Sequence, residues 1–465
     1  MEIKDLAYKT TNVIEKLTDS EISEMEKLCS DYRVFLDRGK TERECIDITI
    51  EMAEKQGFKN IDEVLELKAG DKVYKINRNK NIMLSVIGSE DIEKGFNLVG
   101  SHVDSPRLDL KQNPLYESCN MSLLKTRYYG GIKKYQWTTV PLSIHGVVFT
   151  KDGEAKKVVI GEDDNDPVFC INDILPHLGQ TQAAKKLSEA IEGEALTVLV
   201  GGWPVDEKDA DNKIKLNVLN ILNKKYGITE RDFLSAEIEI VPAYKAKNVG
   251  LDGAFVGAYG QDDRVCAYTS LKAIFEIENP EKTAICLFVD KEETGSDGNT
   301  GMLSDFFRIA VAEMIEKQKG RCDYLDLCRA ITNSSCLSSD VGAAVDPNYE
   351  SVNDKQNAAI AGHGMVLMKY TGGRGKGSAS DANAEYIYKL SKVLDDNNVY
   401  WQTAELGKVD HGGGGTIAKY VANMNMDVID CGVPVLSMHA PFEVTAKTDI
   451  YMAYKSYLAF YNHMA

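Results

Sequence analysis

The sequence predicts an α/β protein in which a second, β-rich domain is inserted into the first. The chain has 465 residues, which is more than one hydrophobic core usually supports. Up to about residue 112, and again after about residue 262, apolar runs of strand length alternate with amphipathic segments. Between these parts the pattern changes to strand-like alternation and acidic loops. We therefore expect one domain formed by residues 1–112 and 240–465, and an inserted domain formed by residues 113–239.

Two helices are expected near the N-terminus. An apolar-periodic segment runs from Ser20 to near Gly39. Thr41 and Glu44 then form the pattern of a capping box, and Gly57 ends the second helix. The remaining predicted elements are strands at 82–88, 96–101, 139–150, 195–201, 283–289 and 364–370, and helices at 303–319, 381–397 and from about 447.

Charge, cysteines and apolar runs exclude several classes of partner. The 54 basic and 71 acidic side chains give a formal charge of −17, which argues against nucleic acid and anionic membrane surfaces as partners. The ten cysteines contain no C-x-x-C pattern and are expected to be reduced thiols. The N-terminus has no apolar signal core, and no apolar run reaches membrane-spanning length. We therefore expect a cytoplasmic protein.

Residue types that bind metals stand in five short settings along the chain. They are His102 in S-H-V-D-S-P, Asp262 in Q-D-D-R, Glu292 and Glu293 in D-K-E-E-T-G, Asp340 in S-S-D-V, and His439 in S-M-H-A-P. A binuclear zinc hydrolase requires a bridging carboxylate, a histidine and a carboxylate for each ion, and one further carboxylate as a base. Each setting alone is weak evidence, but the set contains every part of such a centre.

The local patterns indicate how these residues would work. His102 directly follows a predicted strand, and ligands of open α/β sheets lie at the carboxyl ends of strands. Asp104, two residues on, is placed to accept the second N–H of the imidazole. Adjacent glutamates after an apolar strand project in different directions, so that one can bind metal while the other acts as a base. Asp262 and Asp263 compete for the bridging position, and the residues alone leave that choice open.

The order H-x-D, D-D-R, E-E, S-D and S-M-H resembles the aspartyl aminopeptidase and aminopeptidase I family of co-catalytic zinc metallopeptidases. The resemblance extends from about residue 10 to the C-terminus. Four longer patterns make it specific to this family: S-H-V-D-S-P-R-L-D-L-K at 101–111, V-P-L-S-I-H at 140–145, S-S-D-V-G-A-A-V-D-P-N-Y at 338–349 and L-S-M-H at 436–439. The resemblance implies a three-layer α/β/α catalytic domain with the phosphorylase/hydrolase-like fold. It also implies that the inserted domain serves oligomerisation, in a dodecamer built from dimers.

The resemblance implies a role for each residue of the site. Two Zn²⁺ ions per subunit are expected, and Co²⁺ or Mn²⁺ is expected to substitute for them. Asp262 would bridge the two ions. His102 and Asp340 would complete one zinc site, and Glu293 and His439 the other. Glu292 would be the general base, and His145 would stabilise the tetrahedral intermediate in a neighbouring subunit. The substrates are expected to be peptides that lose their N-terminal residue.

The preference for acidic or neutral N-terminal residues stays open. Lys369 stands where the acidic-preferring members of the family carry a specificity lysine, and Lys376 or Arg374 is placed to supplement it. Against this, the glycine-rich segment 372–378 departs from the acidic-preferring pattern.

Two glycine-rich motifs resemble other kinds of site. D-H-G-G-G-G at 410–415 is similar to the oxyanion loop of lipases, but the chain has no G-x-S-x-G motif to supply the nucleophile. We interpret it as a loop that brings backbone close to the substrate. Y-T-G-G-R-G-K-G-S at 370–378 departs from a phosphate-binding loop, because Gly377 follows Lys376 where serine or threonine is required.

Two other functions are consistent with the same residues. A related carboxypeptidase or N-acyl amino-acid deacylase uses the same ligand types and differs in needing a free carboxylate at the substrate. A non-catalytic, shell-forming protein with a vestigial metal site is the second alternative. The presence of all five ligand positions and of Glu292 argues against it.

Overall fold

A computed structural model describes residues 3–464 of the chain. Its helices are α1 (Asp19–Arg38), α2 (Glu42–Lys55), α3 (Gln180–Ala183), α4 (Leu187–Ala190), α5 (Lys213–Tyr226), α6 (Gln261–Phe275), α7 (Phe306–Lys319), α8 (Tyr324–Thr332), α9 (Ala384–Asp396), α10 (Ala418–Ala422) and α11 (Lys447–His463). No helix within residues 3–464 combines the length and the apolar character that a membrane span requires.

The strands divide into four sheets. They are β1 (Lys59–Asn60), β2 (Lys72–Asn77), β3 (Asn81–Val86), β4 (Phe96–His102), β5 (Arg107–Ser118), β6 (Met121–Tyr129), β7 (Leu142–Phe149), β8 (Ala155–Ile160), β9 (Thr197–Gly201), β10 (Ala236–Pro242), β11 (Lys247–Val249), β12 (Phe255–Ala258), β13 (Thr283–Val289), β14 (Ser335–Ser339), β15 (Gly342–Ala343), β16 (Met365–Met368), β17 (Tyr370–Gly373), β18 (Gly377–Asp381), β19 (Trp401–Thr403), β20 (Asp427–Gly432), β21 (Pro434–Leu436) and β22 (Glu443–Ala446).

The chain forms two compact units. The first contains Met1–Asp104, Ala246–Met438 and Phe442–Ala465, and the second contains Ser105–Lys245 and His439–Pro441. The domain limits expected from the sequence, at 112/113 and 239/240, fall inside strands β5 and β10. These two strands pair with each other, so both belong to one sheet of the second unit.

A nine-stranded sheet organises the first unit, in the order β1-β2-β3-β13-β4-β14-β20-β16-β19. Four central strands, β13, β4, β14 and β20, lie next to one another and are all parallel. Successive residues of these strands enter different hydrophobic clusters: Phe96 and Leu98 join one cluster, and Val99 joins the other. Both faces of the sheet are therefore buried, because side chains alternate along a strand. The parallel strands direct their carboxyl ends to one edge.

Capping residues set the first two helices where the sequence predicts them. Thr18 and Glu21 form a capping box at the start of α1, and Thr41 and Glu44 form one at the start of α2. Each box satisfies backbone N–H groups that the first turn of a helix leaves unpaired. The predicted strand at 364–370 is shorter in the structure, because β16 ends at Met368 and the chain continues into the separate hairpin of β17 and β18.

Two smaller sheets complete the first unit, and one sheet forms the second. The first unit contains a five-stranded sheet in the order β11-β12-β22-β21-β15 and the hairpin β17-β18. The second unit contains a six-stranded antiparallel sheet in the order β8-β7-β10-β5-β6-β9. Helix α5 contacts β5, β6 and β9 of this sheet.

Candidate metal centre

His102 is the last residue of β4, and Asp104 fixes its imidazole. The ring Nδ1 lies 3.0 Å from the carbonyl oxygen of Asp104 and 3.2 Å from its Oδ1. Nδ1 is therefore the protonated donor, which makes Nε2 the nitrogen that faces the other acidic residues. The two Asp104 carboxylate oxygens also accept the backbone N–H groups of Glu292 and Glu293, each at 3.2 Å. One buried carboxylate thus joins the ends of β4 and β13.

Asp262 and Asp263 stand at a corner where α6 begins. Neither residue has helical backbone angles, and the peptide bond between them is cis. The corner is held by Arg264, whose side chain donates to the carbonyl oxygens of Val103 and Lys40 at 3.3 and 3.0 Å. On the other side, the N–H of Asp262 donates to the Glu443 carboxylate at 3.0 Å.

The two aspartates face His102 in different ways. Asp262 Oδ1 lies 3.3 Å from the imidazole Nε2. Asp263 Oδ2 accepts the backbone N–H of His102 at 3.3 Å, and its Oδ1 is buried without a hydrogen-bond partner among the described residues. Asp340 follows β14, the strand beside β4, and its Oδ1 lies 3.7 Å from Nε2.

Burial and crowding of like charges shift the pKa values of this cluster. Burial raises the pKa of Asp263 well above its usual value, and the charge of Asp340 adds to the effect. Burial and the charge of Asp340 also raise the pKa of Glu292 to about 8. For His102 burial acts against protonation, but hydrogen bonds to the carboxylates around it, Asp104 first, outweigh burial and raise the pKa well above the usual value. The cluster thus concentrates more negative charge than one imidazole can neutralise.

The donor atoms fit divalent metal ions. One ligand atom each from His102, Asp263 and Asp340 lies within 4.8 Å of the others, and the same holds for His102, Asp262 and Glu293. Imidazole nitrogen and carboxylate oxygen are ligands of zinc. A divalent cation would supply the charge that these buried carboxylates lack, including the unpartnered oxygen of Asp263.

His145 and His439 belong to the second unit. His145 lies on β7 and is 2% exposed, with its Nε2 3.1 Å from both Ser143 Oγ and Glu162 Oε1. His439 has a positive φ of 64°, and its Nδ1 lies 3.0 Å from the carbonyl oxygen of Gly131. That contact makes Nδ1 the donor nitrogen of His439 and Nε2 the nitrogen suited to a metal.

The two candidate substrate-binding lysines lie around the β17-β18 hairpin. Lys369 stands between β16 and β17 and is exposed, with its Nζ 4.9 Å from the centroid of the Tyr370 ring. Lys376 is exposed in the turn between β17 and β18.

Two residues that hold the candidate ligands in place are not predicted from the sequence. Glu443 binds the backbone of Asp262, and Arg264 holds the corner from the other side. Local sequence patterns predict neither contact. Glu443, for example, lies 181 positions from Asp262 along the chain. The adjacent D-D-R letters do mark the corner itself.

Carboxylates grouped beside an imidazole, at the carboxyl edge of an α/β sheet, are typical of a metal-dependent hydrolase. A model of the family described as aminopeptidase I zinc metalloprotease (M18) matches residues 35–461. The probable M18 family aminopeptidase 1 of Clostridium acetobutylicum is 52% identical over 463 residues, which cover 99% of each chain.

Solved structures of aminopeptidases have the same fold as this chain. The crystal structure of an M18 family aminopeptidase from Thermotoga maritima has a TM-score of 0.94 and 44% identity, covering 98% of this chain and 100% of that one. The dodecamer of S. cerevisiae mApe1 shares the fold at 21% identity, with a TM-score of 0.77 and coverage of 95% and 98%. The chain therefore belongs to the M18 family and is a zinc aminopeptidase, a metallo-exopeptidase.

Proposed function

We propose that this aminopeptidase removes the N-terminal residue of peptides at a centre that binds two zinc ions. The observation that carries the proposal is the clustering of five donors in two overlapping groups, His102 with Asp263 and Asp340, and His102 with Asp262 and Glu293. Because only the Nε2 of His102 faces these carboxylates, His102 is assigned to one ion together with Asp340. We assign Asp262 as the bridging ligand, as the family resemblance implies; its Oδ1 lies 3.3 Å from the His102 Nε2. Asp263 is the alternative. His439 is assigned to the ion held by Glu293, as the family resemblance implies.

The protein side chains divide the chemistry between them. Bound zinc supplies a Lewis acid that polarises the scissile carbonyl and acidifies water. Glu292 accepts the proton of the attacking water on its carboxylate and passes it to the leaving amine. A positive ion in the cluster favours the ionised carboxylate and so opposes the raised pKa of Glu292. His145 donates a hydrogen bond to the developing oxyanion.

Specificity and assembly extend the proposal. Lys369 is assigned to the pocket for an acidic N-terminal side chain, with Lys376 as a second cation; a neutral preference is the alternative. The catalytic domain is assigned the three-layer α/β/α architecture, and the second unit is assigned to contacts between subunits. The dodecamer of the yeast relative supports a homo-oligomer of the same kind. The formal charge of −17 supports an enzyme that binds neither nucleic acid nor anionic membrane surfaces. We also propose that the enzyme is cytoplasmic.

Hydrolysis of aminoacyl anilides, with and without a chelator, tests this function. Prolonged chelation should abolish activity, and zinc, cobalt or manganese should restore it. Metal content measured on the active protein should approach two ions per subunit. Two controls separate the alternatives. An aminopeptidase leaves an N-acetylated anilide intact because the free amine is missing. A carboxypeptidase or deacylase cleaves an N-acylated peptide or amino acid with a free carboxylate, which an aminopeptidase leaves intact. Full activity in metal-free protein would disprove the assignment.

A further inference from the structure

The two glycine-rich motifs that resemble other sites lie against each other in the first unit. The backbone N–H of Gly372, in the β17-β18 hairpin, donates to the carbonyl oxygen of Gly414 at 2.7 Å. A Cβ atom added at Gly413 would lie 2.3 Å from the Gly372 carbonyl oxygen, and one at Gly415 would lie 2.7 Å from the Ser378 Cβ. Glycine is therefore required here, because the two backbones approach too closely for side chains. We call the hairpin 370–381 and the segment 410–416 together the glycine clamp.

One buried carboxylate anchors both halves of this clamp. Asp430, on β20, is 3% exposed. Its Oδ2 accepts the hydroxyl of Thr371, at the base of the hairpin, at 3.1 Å. Its Oδ1 accepts the hydroxyl of Thr416, at the end of the other segment, and the hydroxyl of Ser338 on β14 at 2.9 Å. Three segments far apart in sequence thus share one carboxylate.

The same anchor is connected to the segments that carry the candidate ligands. Ser338 lies two residues before Asp340, which is roughly 7 Å along a strand. Thr416 accepts the N–H of Ala418 at 3.2 Å and so fixes the start of α10. Tyr420 of α10 donates to the carbonyl oxygen of Gly295 at 3.0 Å, directly after the turn that contains Glu292 and Glu293.

We propose that Asp430 is a positioning residue, which holds the glycine clamp as one unit against the metal-binding edge so that the clamp's backbone aligns the substrate peptide. Asp430 itself does not touch the substrate. The inference rests on the proposed function in one respect, namely that peptides bind beside the metal ligands. The carboxyl group of Asp430 suits this role, because its two oxygens accept three hydroxyl donors at once.

Threonine-to-valine variants test the anchor without removing the buried carboxylate. Thr371→Val detaches the hairpin, and Thr416→Val detaches the other segment. Each should raise KM about three- to tenfold, the effect of one lost hydrogen bond, with kcat and zinc content little changed. The double variant should show less than the product of the two effects, because the halves depend on each other through Gly372 and Gly414.

Matched variants separate positioning from general stability. Thr371→Ser and Thr416→Ser retain the hydroxyl and should keep the wild-type KM. Thr49→Val removes a buried hydroxyl on α2, which donates to the Cys45 carbonyl oxygen at 2.7 Å, and should lower stability without changing KM. Unchanged KM in both clamp variants, or equal loss in the serine variants, would overturn the proposal.

Hydrogen exchange provides a readout that needs no substrate. In wild-type enzyme, peptides covering 370–381 and 410–416 should exchange slowly together. Thr416→Val should speed exchange in the hairpin as well as in its own segment, while Thr49→Val leaves both unchanged. If exchange in the hairpin does not respond to Thr416→Val, Asp430 does not hold the clamp as one unit. This result stands even if the assigned substrate class is wrong, so the two failures are distinguishable.

Discussion

Asp104 shows how one residue organises the centre. Its carboxylate contacts the His102 ring and accepts both backbone N–H groups of the adjacent glutamates. Replacement by asparagine keeps the volume but leaves one carboxylate oxygen fewer to accept these three donors. The residue therefore sets both the tautomer of the proposed ligand His102 and the position of the turn that carries the proposed base Glu292.

We expect Asp104→Asn to lower zinc affinity about 10- to 100-fold. The measurement is competition for zinc against a chelator of known affinity, with activity assayed separately at saturating zinc. Asp109→Asn, on β5 in the second unit, is a matched control and should leave zinc affinity unchanged. Wild-type affinity in the Asp104 variant would show that the imidazole is oriented by other contacts.

Substitution of the adjacent glutamates Glu292 and Glu293 should have different effects on catalysis and on metal content. Glu292→Gln should keep both metal ions and lose about 10²- to 10⁴-fold in kcat, because an amide does not accept the proton of water. Glu293→Gln should instead lose metal. Metal analysis and kcat on the same samples check the two variants together. Loss of metal in Glu292→Gln with activity retained would mean that the two roles are exchanged.

Substrate preference can be tested at Lys369. If Lys369 binds an acidic side chain, Lys369→Ala should lower kcat/KM for Asp and Glu anilides by about 10-fold or more and spare Leu anilide, because a charge-assisted bond is lost. Lys392→Ala, at an exposed ion pair on α9, serves as the control and should leave both substrates unaffected. Best cleavage of Leu anilide, with an unchanged Asp-to-Leu ratio in Lys369→Ala, would place the enzyme among the neutral-preferring members.

At this scale the sequence predicts ligand types better than ligand geometry. The H-x-D spacing predicts the contact between Asp104 and the imidazole, because two residues on one strand end lie close in any fold. The choice between Asp262 and Asp263 depends on backbone angles at the start of α6. Those angles are set by Arg264 and Glu443 through contacts with distant segments, which no local pattern contains.

At the scale of elements, the parallel strands bring the candidate ligands together. His102 ends β4, Asp340 follows β14, and the turn with Glu292 follows β13, all at one edge of the sheet. The sequence predicts β4 and β13 closely, because each is an uninterrupted apolar run. It does not predict the glycine clamp, because the contact of Gly372 with Gly414 joins two segments that each resemble an ordinary loop.

Helix α11 carries a buried aspartate, Asp449, that should make the stability of the fold depend on pH. Asp449, on α11, accepts the backbone N–H groups of Gly362 and Gly364, both at 2.7 Å. Burial raises its pKa to about 7. The folded state therefore binds this proton more tightly than the unfolded state does. Asp449 therefore contributes most to the free energy of unfolding below about pH 4. This contribution falls by at most ~4 kcal/mol as the pH rises to 7.

Asp449→Asn should reduce this dependence. The amide accepts one of the two N–H groups and does not titrate, so the variant should melt below wild type at pH 5 and approach it at pH 8. Thermal melting at the two pH values measures the difference, and Asp396→Asn, at an exposed ion pair on α9, should change Tm little at either. A gap in Tm that is the same at both pH values would show that Asp449 does not titrate in this range.

At the scale of the whole molecule, the candidate residues belong to both units. His102, Asp262, Glu292, Glu293 and Asp340 belong to the first, whereas His145 and His439 belong to the second. The family resemblance implies that His145 acts on the active site of a neighbouring subunit. If so, the assembled oligomer is the catalytic form, and each active site depends on two chains.

Mixing inactive variants tests this arrangement. His145→Ala and Glu292→Gln, each inactive alone, should recover activity when their subunits exchange, because a mixed pair contains one site with both residues intact. Random pairing predicts recovery of about a quarter of wild-type activity. Glu292→Gln mixed with His439→Ala is the control, since both residues are assigned to the same subunit's site and neither of the two sites would be complete. Exchange is verified by native mass spectrometry of the mixture. Exchange without recovery would show that His145 acts within its own subunit.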